Sequence, residues 1–184
     1  MYKIFINIIV SLFVPKQKRL EIKYFMLGIF NRFSVKYKAL SVGKHFCCGE
    51  NIVKVNKHTS IGNYVHINGM IIMGSGKVCI GDYCHFGAEL LILSDSHNYE
   101  GNKIPYDKTL ILKETIIEDF VWCGARVTIL PGTRIGEGAI IQAGAVVHGN
   151  IPSNAIAGGN PAKVFKYRNR EHFIQLKNDK EFLQ

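Results

Sequence analysis

An apolar side chain recurs every six residues through the second half of this 184-residue chain, at Ile117, Cys123, Ile129, Ile135, Ile141 and Val147. Four places after each of the first five stands a second small or β-branched residue: Val121, Val127, Thr133, Ala139 and Ala145. Turn-compatible residues gather between them, as in Gly124, Pro131-Gly132, Gly136, Gly138 and Gly144. A period of six suits neither an α-helix nor a heptad, and glycine at this density cuts any strand to four or five residues. Short strands that turn a corner every six residues make a prism, and three corners close one coil of about 18 residues. The recurring aliphatic residue then points inward and stacks on its equivalent one coil away, with hydrogen bonds running between coils about 4.8 Å apart.

The same register shows earlier, at Ile61-Gly62, Ile67-Asn68, Ile80-Gly81, Phe86-Gly87 and Ile92. Residues 41–160 therefore give room for five to six coils of an all-β solenoid. The register slips by one residue between Ile67 and Ile80, and again between Ile92 and Ile117. The second gap holds Ser94-Asp-Ser-His-Asn-Tyr-Glu-Gly-Asn, where the hexads vanish. A loop of that length, about 94–113, inside a compact repeat array is usually functional.

The composition, 47% hydrophobic with 20% charged residues, excludes a disordered chain, and the length suits one domain. The net charge of +9 is unevenly placed. Residues 1–44 hold nine bases and one acid (+8), residues 45–162 eight and ten (−2), and residues 163–184 six and three (+3). With the middle of the chain mildly acidic, no basic groove is left to track nucleic acid. Five cysteines match no disulfide framework or zinc pattern and read as small buried hydrophobes in a reducing cytoplasm.

Ile4 to Val14 is apolar apart from Asn7 and Ser11, and Pro15-Lys-Gln-Lys-Arg19 follows. Eleven residues are too few to span a bilayer, and no small-residue cleavage site follows them. Two readings stand for residues 1–19: a peripheral, interfacial segment on the inner face of the plasma membrane, or a helix packed on the core or on a neighbouring subunit. Residues 1–40 form the N-terminal apolar and basic helical segment, and 161–184 a basic tail with a short helix.

The hexads from 117 to 147, the Val121-Trp-Cys-Gly-Ala125 segment, the Ile151-Pro-Ser-Asn-Ala-Ile-Ala-Gly-Gly-Asn-Pro-Ala-Lys163 block and His97 in the loop together resemble the hexapeptide-repeat acyltransferases. The likeness covers residues 60–168 and is nearest to the maltose/galactoside and polysaccharide O-acetyltransferase branch. It implies a left-handed parallel β-helix, a homotrimer, acetyl-CoA in the cleft between prisms, and a sugar or glycan acceptor, lipid-linked if the N-terminus meets a membrane. No metal is expected, since His58 and His66 lack the ligand spacing of the metal-binding β-helices.

By that resemblance His97 is the general base, an imidazole being suited to take a hydroxyl proton near neutral pH. Asp95, two places before it, is a candidate to orient it. The Ala125 amide, after Gly124, is the oxyanion donor, and Ala143, one coil further on, contacts the pantetheine arm with Trp122. Lys163, Lys166 and Arg168 match the phosphate-binding region, and Asn68 an acceptor-site asparagine. His148-Gly149 departs from the family, which often carries a lysine there. Other acceptors, an amino-sugar nitrogen or a small xenobiotic hydroxyl, stay open, as does a metal-binding or scaffold β-helix without acyltransferase activity.

Overall fold

The structure, a computed structural model, describes residues 2–183; Met1 and Gln184 lie outside them. The chain opens with helix α1 (Tyr2–Phe13), a 3-10 turn at Lys16–Lys18 and helix α2 (Arg19–Lys38). Arg19 closes this hairpin: its Nε donates to the Val14 carbonyl and its Nη2 to that of Ser11, both at 2.7 Å. The guanidinium thereby satisfies carbonyls that the last turn of α1 leaves open. Ile6, Val10 and Leu27 form the small core between the two helices.

From Ser41 onward the chain winds into a left-handed parallel β-helix of about six turns. Face I stacks six strands, from Ser41–Val42 to Asn150–Ile151. Face II stacks Cys47–Cys48, His66–Ile67, His85–Phe86, Trp122–Cys123, Ile140–Ile141 and Ala155–Gly158, and face III runs from Val53–Lys54 to Val146–Val147. The hexad residues Ile117, Cys123, Ile129, Ile135, Ile141 and Val147 all lie in the buried axis, each at most 1% exposed. The coil length is not constant. Ile116 pairs with Arg134, an offset of three hexads. Ser41 pairs with Ser60 and Met70 with Leu90, offsets that exceed three hexads by one place and by two. Extra residues at the corners of the early coils account for the first register slip; the inserted loop accounts for the second.

The edge between faces I and II is built from left-handed residues: His45, Tyr64, Tyr83, Phe120, Gly138 and Asn154 all have φ between 55° and 69°. For residues with a side chain this conformation is costly, and ring stacking offsets it. His45–Tyr64, Tyr64–Tyr83 and Tyr83–Phe120 stack at 4.5, 4.8 and 5.2 Å, with planes within 14°. The preceding residues form a second ladder, in which Asn63, Asp82 and Asp119 accept the backbone N–H of Lys44, Asn63 and Asp82. At Gly138 the column lacks a ring, and Phe173 supplies it: a Cβ there would lie 2.7 Å from the Phe173 ring.

Phe173 belongs to helix α3 (Arg170–Asn178), whose first turn is capped by the Asn169 side chain. Lys163–Tyr167 is a strand, antiparallel to Ala155–Gly158, so face II gains a seventh member. It turns the chain back across the top of the face, and α3 then docks along the I/II edge. The cysteine expectation is narrowed: Cys48, Cys84 and Cys123 are buried, but Cys79 is half-buried and Cys47 exposed. Burial pushes the Cys84 thiol up to about 12.

Candidate active site

The II/III edge is the second column of interest. Backbone bonds from Gly49 to Ile67, Asn68 to Phe86, Gly87 to Cys123, Gly124 to Ile141 and Gln142 to Ala157 put Gly49, Asn68, Gly87, Gly124 and Gln142 one above another. Gly158 tops the column and stands opposite Lys163 in the antiparallel pair. Asn68, Gly124, Ala125, Ala143 and Lys163 thus share one prism edge.

Two glycines let successive coils close tightly on one another at this edge. A Cβ at Gly87 would lie 2.5 Å from the Ala125 nitrogen, and one at Gly124 would lie 2.6 Å from the Ala143 nitrogen. Neither amide donates to a neighbouring coil. Two backbone N–H groups, one coil apart and about 4.8 Å in rise, thus have no backbone acceptor among the described residues. Amides stacked in this way can donate to the carbonyls of an extended ligand, and Lys163 at the top offers a cation.

The other two basic residues diverge from the edge. Lys166 stands opposite Ile156, part-way across face II. Arg168 lies at the far side, where its N–H donates to Asn154 and its guanidinium sits 5.6 Å over the Phe173 ring. Burial holds its pKa below the usual arginine range. Strand pairing therefore sets Lys163 at this edge, Lys166 part-way across face II and Arg168 at its far side.

Trp122 projects from face II and is 53% exposed. With His85, Phe120, Arg168, Phe173 and Phe182 it lines a cavity of about 380 Å³ beneath α3 and the chain end. His85 faces His66 on the adjacent strand, with ring centroids 5.7 Å apart. Burial first, and the neighbouring His66 second, push the His85 pKa below its ordinary value. No cluster of three metal-ligating side chains occurs among the described residues.

His97 ends strand Asp95–His97, which pairs antiparallel with Leu110–Leu112 to form a hairpin leaving the III/I edge. The imidazole is exposed and stacks on Tyr106, with centroids 3.9 Å apart. Asp107 sets the hairpin tip by accepting from the N–H groups of Asn102 and Thr109 and from the Thr109 hydroxyl. The hydroxyl bond, above all, holds its carboxyl below the ordinary range. No hydrogen bond joins Asp95 to His97 among the described residues; the Asp95 Oδ2 accepts the Ser75 N–H at 2.7 Å, pinning the hairpin base to the coil below. Tyr106 was not singled out in the sequence, where nothing but an aromatic residue in the inserted loop marked it.

His97 and Ala125 belong to different prism edges of one chain. Residues 114–149 match the family model described as bacterial transferase hexapeptide (six repeats). YvoF of Bacillus subtilis, assigned as an acetyltransferase, is 36% identical over 129 residues, 70% of this chain and 68% of that protein. WbbJ of Escherichia coli, assigned as a lipopolysaccharide biosynthesis O-acetyl transferase, is 34% identical over 67% of this chain. The chain spans only 64% of the length of that relative. A galactoside acetyltransferase solved in complex with coenzyme A superposes with a TM-score of 0.65 at 21% identity, covering 94% of this chain and 82% of that one. The chain belongs to the hexapeptide-repeat acetyltransferase family.

Proposed function

We propose that the protein is an acetyl-CoA-dependent O-acetyltransferase acting on a sugar hydroxyl, in bacterial surface or capsular polysaccharide synthesis at the cytoplasmic face of the membrane. The carrying observation is the II/III edge, where the Ala125 and Ala143 amides have no backbone acceptor among the described residues and Lys163 stands at its end. Acetyl-CoA, when bound, supplies the activated acetyl thioester. The Ala143 amide holds the pantetheine chain, Trp122 packs beside it, and Lys163 pairs with phosphate. Asn68, lower on the same edge, binds the acceptor. His97 takes the acceptor hydroxyl proton, and the Ala125 N–H meets the negative charge that develops on the carbonyl oxygen. A base contributes about 10²–10⁴-fold and an oxyanion donor about 10²–10³-fold.

Because the two halves lie on separate edges, His97 of one copy works with Ala125 of the next, and a closed ring of three copies completes every site. The test is acetyl transfer to a panel of sugar acceptors by native protein and His97→Ala, with mass measured in solution. Loss of at least about a hundredfold in turnover with the trimer intact is expected. Near-native turnover of His97→Ala, or a fully active monomer, would overturn this assignment. Transfer confined to amino sugars would move the acceptor to nitrogen.

A further inference from the structure

Helices α1 and α2 cover only one side of each other. On α1, Ile4, Ile8 and Leu12 recur at i, i+4 and i+8 and are 51–70% exposed, with Phe5 and Phe13 beside them. On α2, Phe25, Ile29 and Phe33 repeat that spacing, and Phe25 and Phe33 are about 70% exposed. Arg32 and Lys36 border the α2 row and line a shallow hollow with Ile29 and Phe33. Two apolar rows of this size are rare on a surface that meets only water. Among the described residues no helix is long and apolar enough to cross a membrane.

The charge selects the occupant. Residues 1–44 carry nine bases and one acid. Residues 2–38 of the hairpin hold eight of those bases and the acid, so a second hairpin laid on the first would set +7 against +7, whereas an anionic bilayer offers acyl chains to the rows and phosphates to their borders. We propose that the α1–α2 hairpin is a docking surface for anionic lipid. This deepens the reading above, since it supplies the membrane from which a lipid-linked acceptor is presented.

The hairpin is rigidly tied to the site. Asn31 Nδ2 donates to the carbonyls of Gly49 and Asn51, at 2.8 and 2.6 Å. Gly28 closes tightly on the Cys48 carbonyl, where a Cβ would lie at 2.9 Å. Gly49 is the lowest rung of the II/III edge, below Asn68, Gly87 and Gly124. Docking therefore sets the bilayer at the Asn68 end of the edge, with Gly124 three rungs, or about 14 Å, above Gly49. Lys163 and the CoA phosphates lie at the opposite end. A sugar carried on a lipid diphosphate enters from below while acetyl-CoA enters from above.

The test is sedimentation of the full-length protein with vesicles of phosphatidylcholine alone and with about 30% phosphatidylglycerol. Enrichment on the anionic vesicles is expected, weakening as salt rises, since each basic residue near such a surface strengthens binding about fivefold. Phe25→Ser with Phe33→Ser should lower that binding by at least about tenfold, with melting temperature and solution mass unchanged. Equal binding to both vesicle types, or binding indifferent to the substitutions, overturns the proposal. So does a change of oligomeric mass in the variant, which would give this face to a second copy. Acetyl transfer to a soluble sugar is measured in parallel: a variant that keeps it has lost lipid docking and not catalysis, whereas native protein inactive on all sugars fails the enzymatic reading alone.

Discussion

The His97 imidazole lies flat on the Tyr106 ring, with centroids 3.9 Å and planes 13° apart. Stacking fixes the plane in which the ring nitrogens point, while the Asp95 Oδ2 is bonded to the Ser75 N–H. Tyr106→Phe keeps the stacked face and should keep near-native turnover. Tyr106→Ala frees the ring to rotate, and turnover should fall about tenfold, since near-attack geometry is lost, with the KM for acetyl-CoA unchanged. Steady-state kinetics on both variants check the split.

Gly124 is constrained by contact and Gly144 by conformation. A Cβ at 124 meets the Ala143 backbone at 2.6 Å, so Gly124→Ala must push two coils apart and should cost roughly 2–3 kcal/mol. Gly144 has φ of +73° with nothing within 4 Å of its Cβ position. Gly144→Ala should therefore cost only about 1–2 kcal/mol. Gly124→Ala should also abolish coenzyme A binding while Gly144→Ala retains it. Denaturant melts and calorimetric titration with coenzyme A separate the two.

His85 gives the folded state a pH dependence. Its pKa in the fold is lowered, by burial and then by His66, below its ordinary value near 6.5. Between the lowered value and about 6.5 the unfolded chain binds the proton more tightly, so stability falls as pH drops through that window. His85→Gln should flatten the slope there. Urea melts at about pH 7.5, 6.5 and 5.5 measure it; an unchanged slope in the variant would give the dependence to another group.

The legible half of the fold is the stretch from Ile116 to Val147, within which paired strands lie three hexads apart. From Ile117 to Val147 each inward hexad position is aliphatic or cysteine at strict spacing, and the prism follows. Before Ile92 the corners carry extra residues, so the period reads as interrupted although the coils stack equally well. The aromatic column was present as a repeated word: Lys44-His45-Phe46, Asn63-Tyr64-Val65, Asp82-Tyr83-Cys84 and Asp119-Phe120-Val121 each pair a polar residue with a ring before a buried residue. That word marks the left-handed corner. The strand Lys163–Tyr167 had no such mark, since its alternation is broken by lysines and its partner, Ala155–Gly158, is set by the end of the solenoid. Family likeness set Ala125 and Ala143 on one edge and Lys163 in the phosphate-binding region, but one sequence could not show that Arg168 turns away to stack on Phe173.

That divergence separates three cations that sequence spacing groups together. Lys163 is exposed at the top of the II/III edge, opposite Gly158. Lys166 is exposed but faces Ile156, across face II. Arg168 is half-buried against Phe173, and its Nε has no partner among the described residues. Lys163→Ala should raise the KM for acetyl-CoA about fivefold to tenfold with kcat unchanged, because a phosphate contact remote from the reacting carbonyl contributes equally to ground and transition states. The effect should shrink as salt screens the pair. Lys166→Ala should change KM less than twofold. Arg168→Ala should leave KM nearly unchanged and instead lower the melting temperature, since it removes the side chain packed beneath α3. A rise in KM shared equally by all three variants would restore a single phosphate cluster and refute the one-lysine edge.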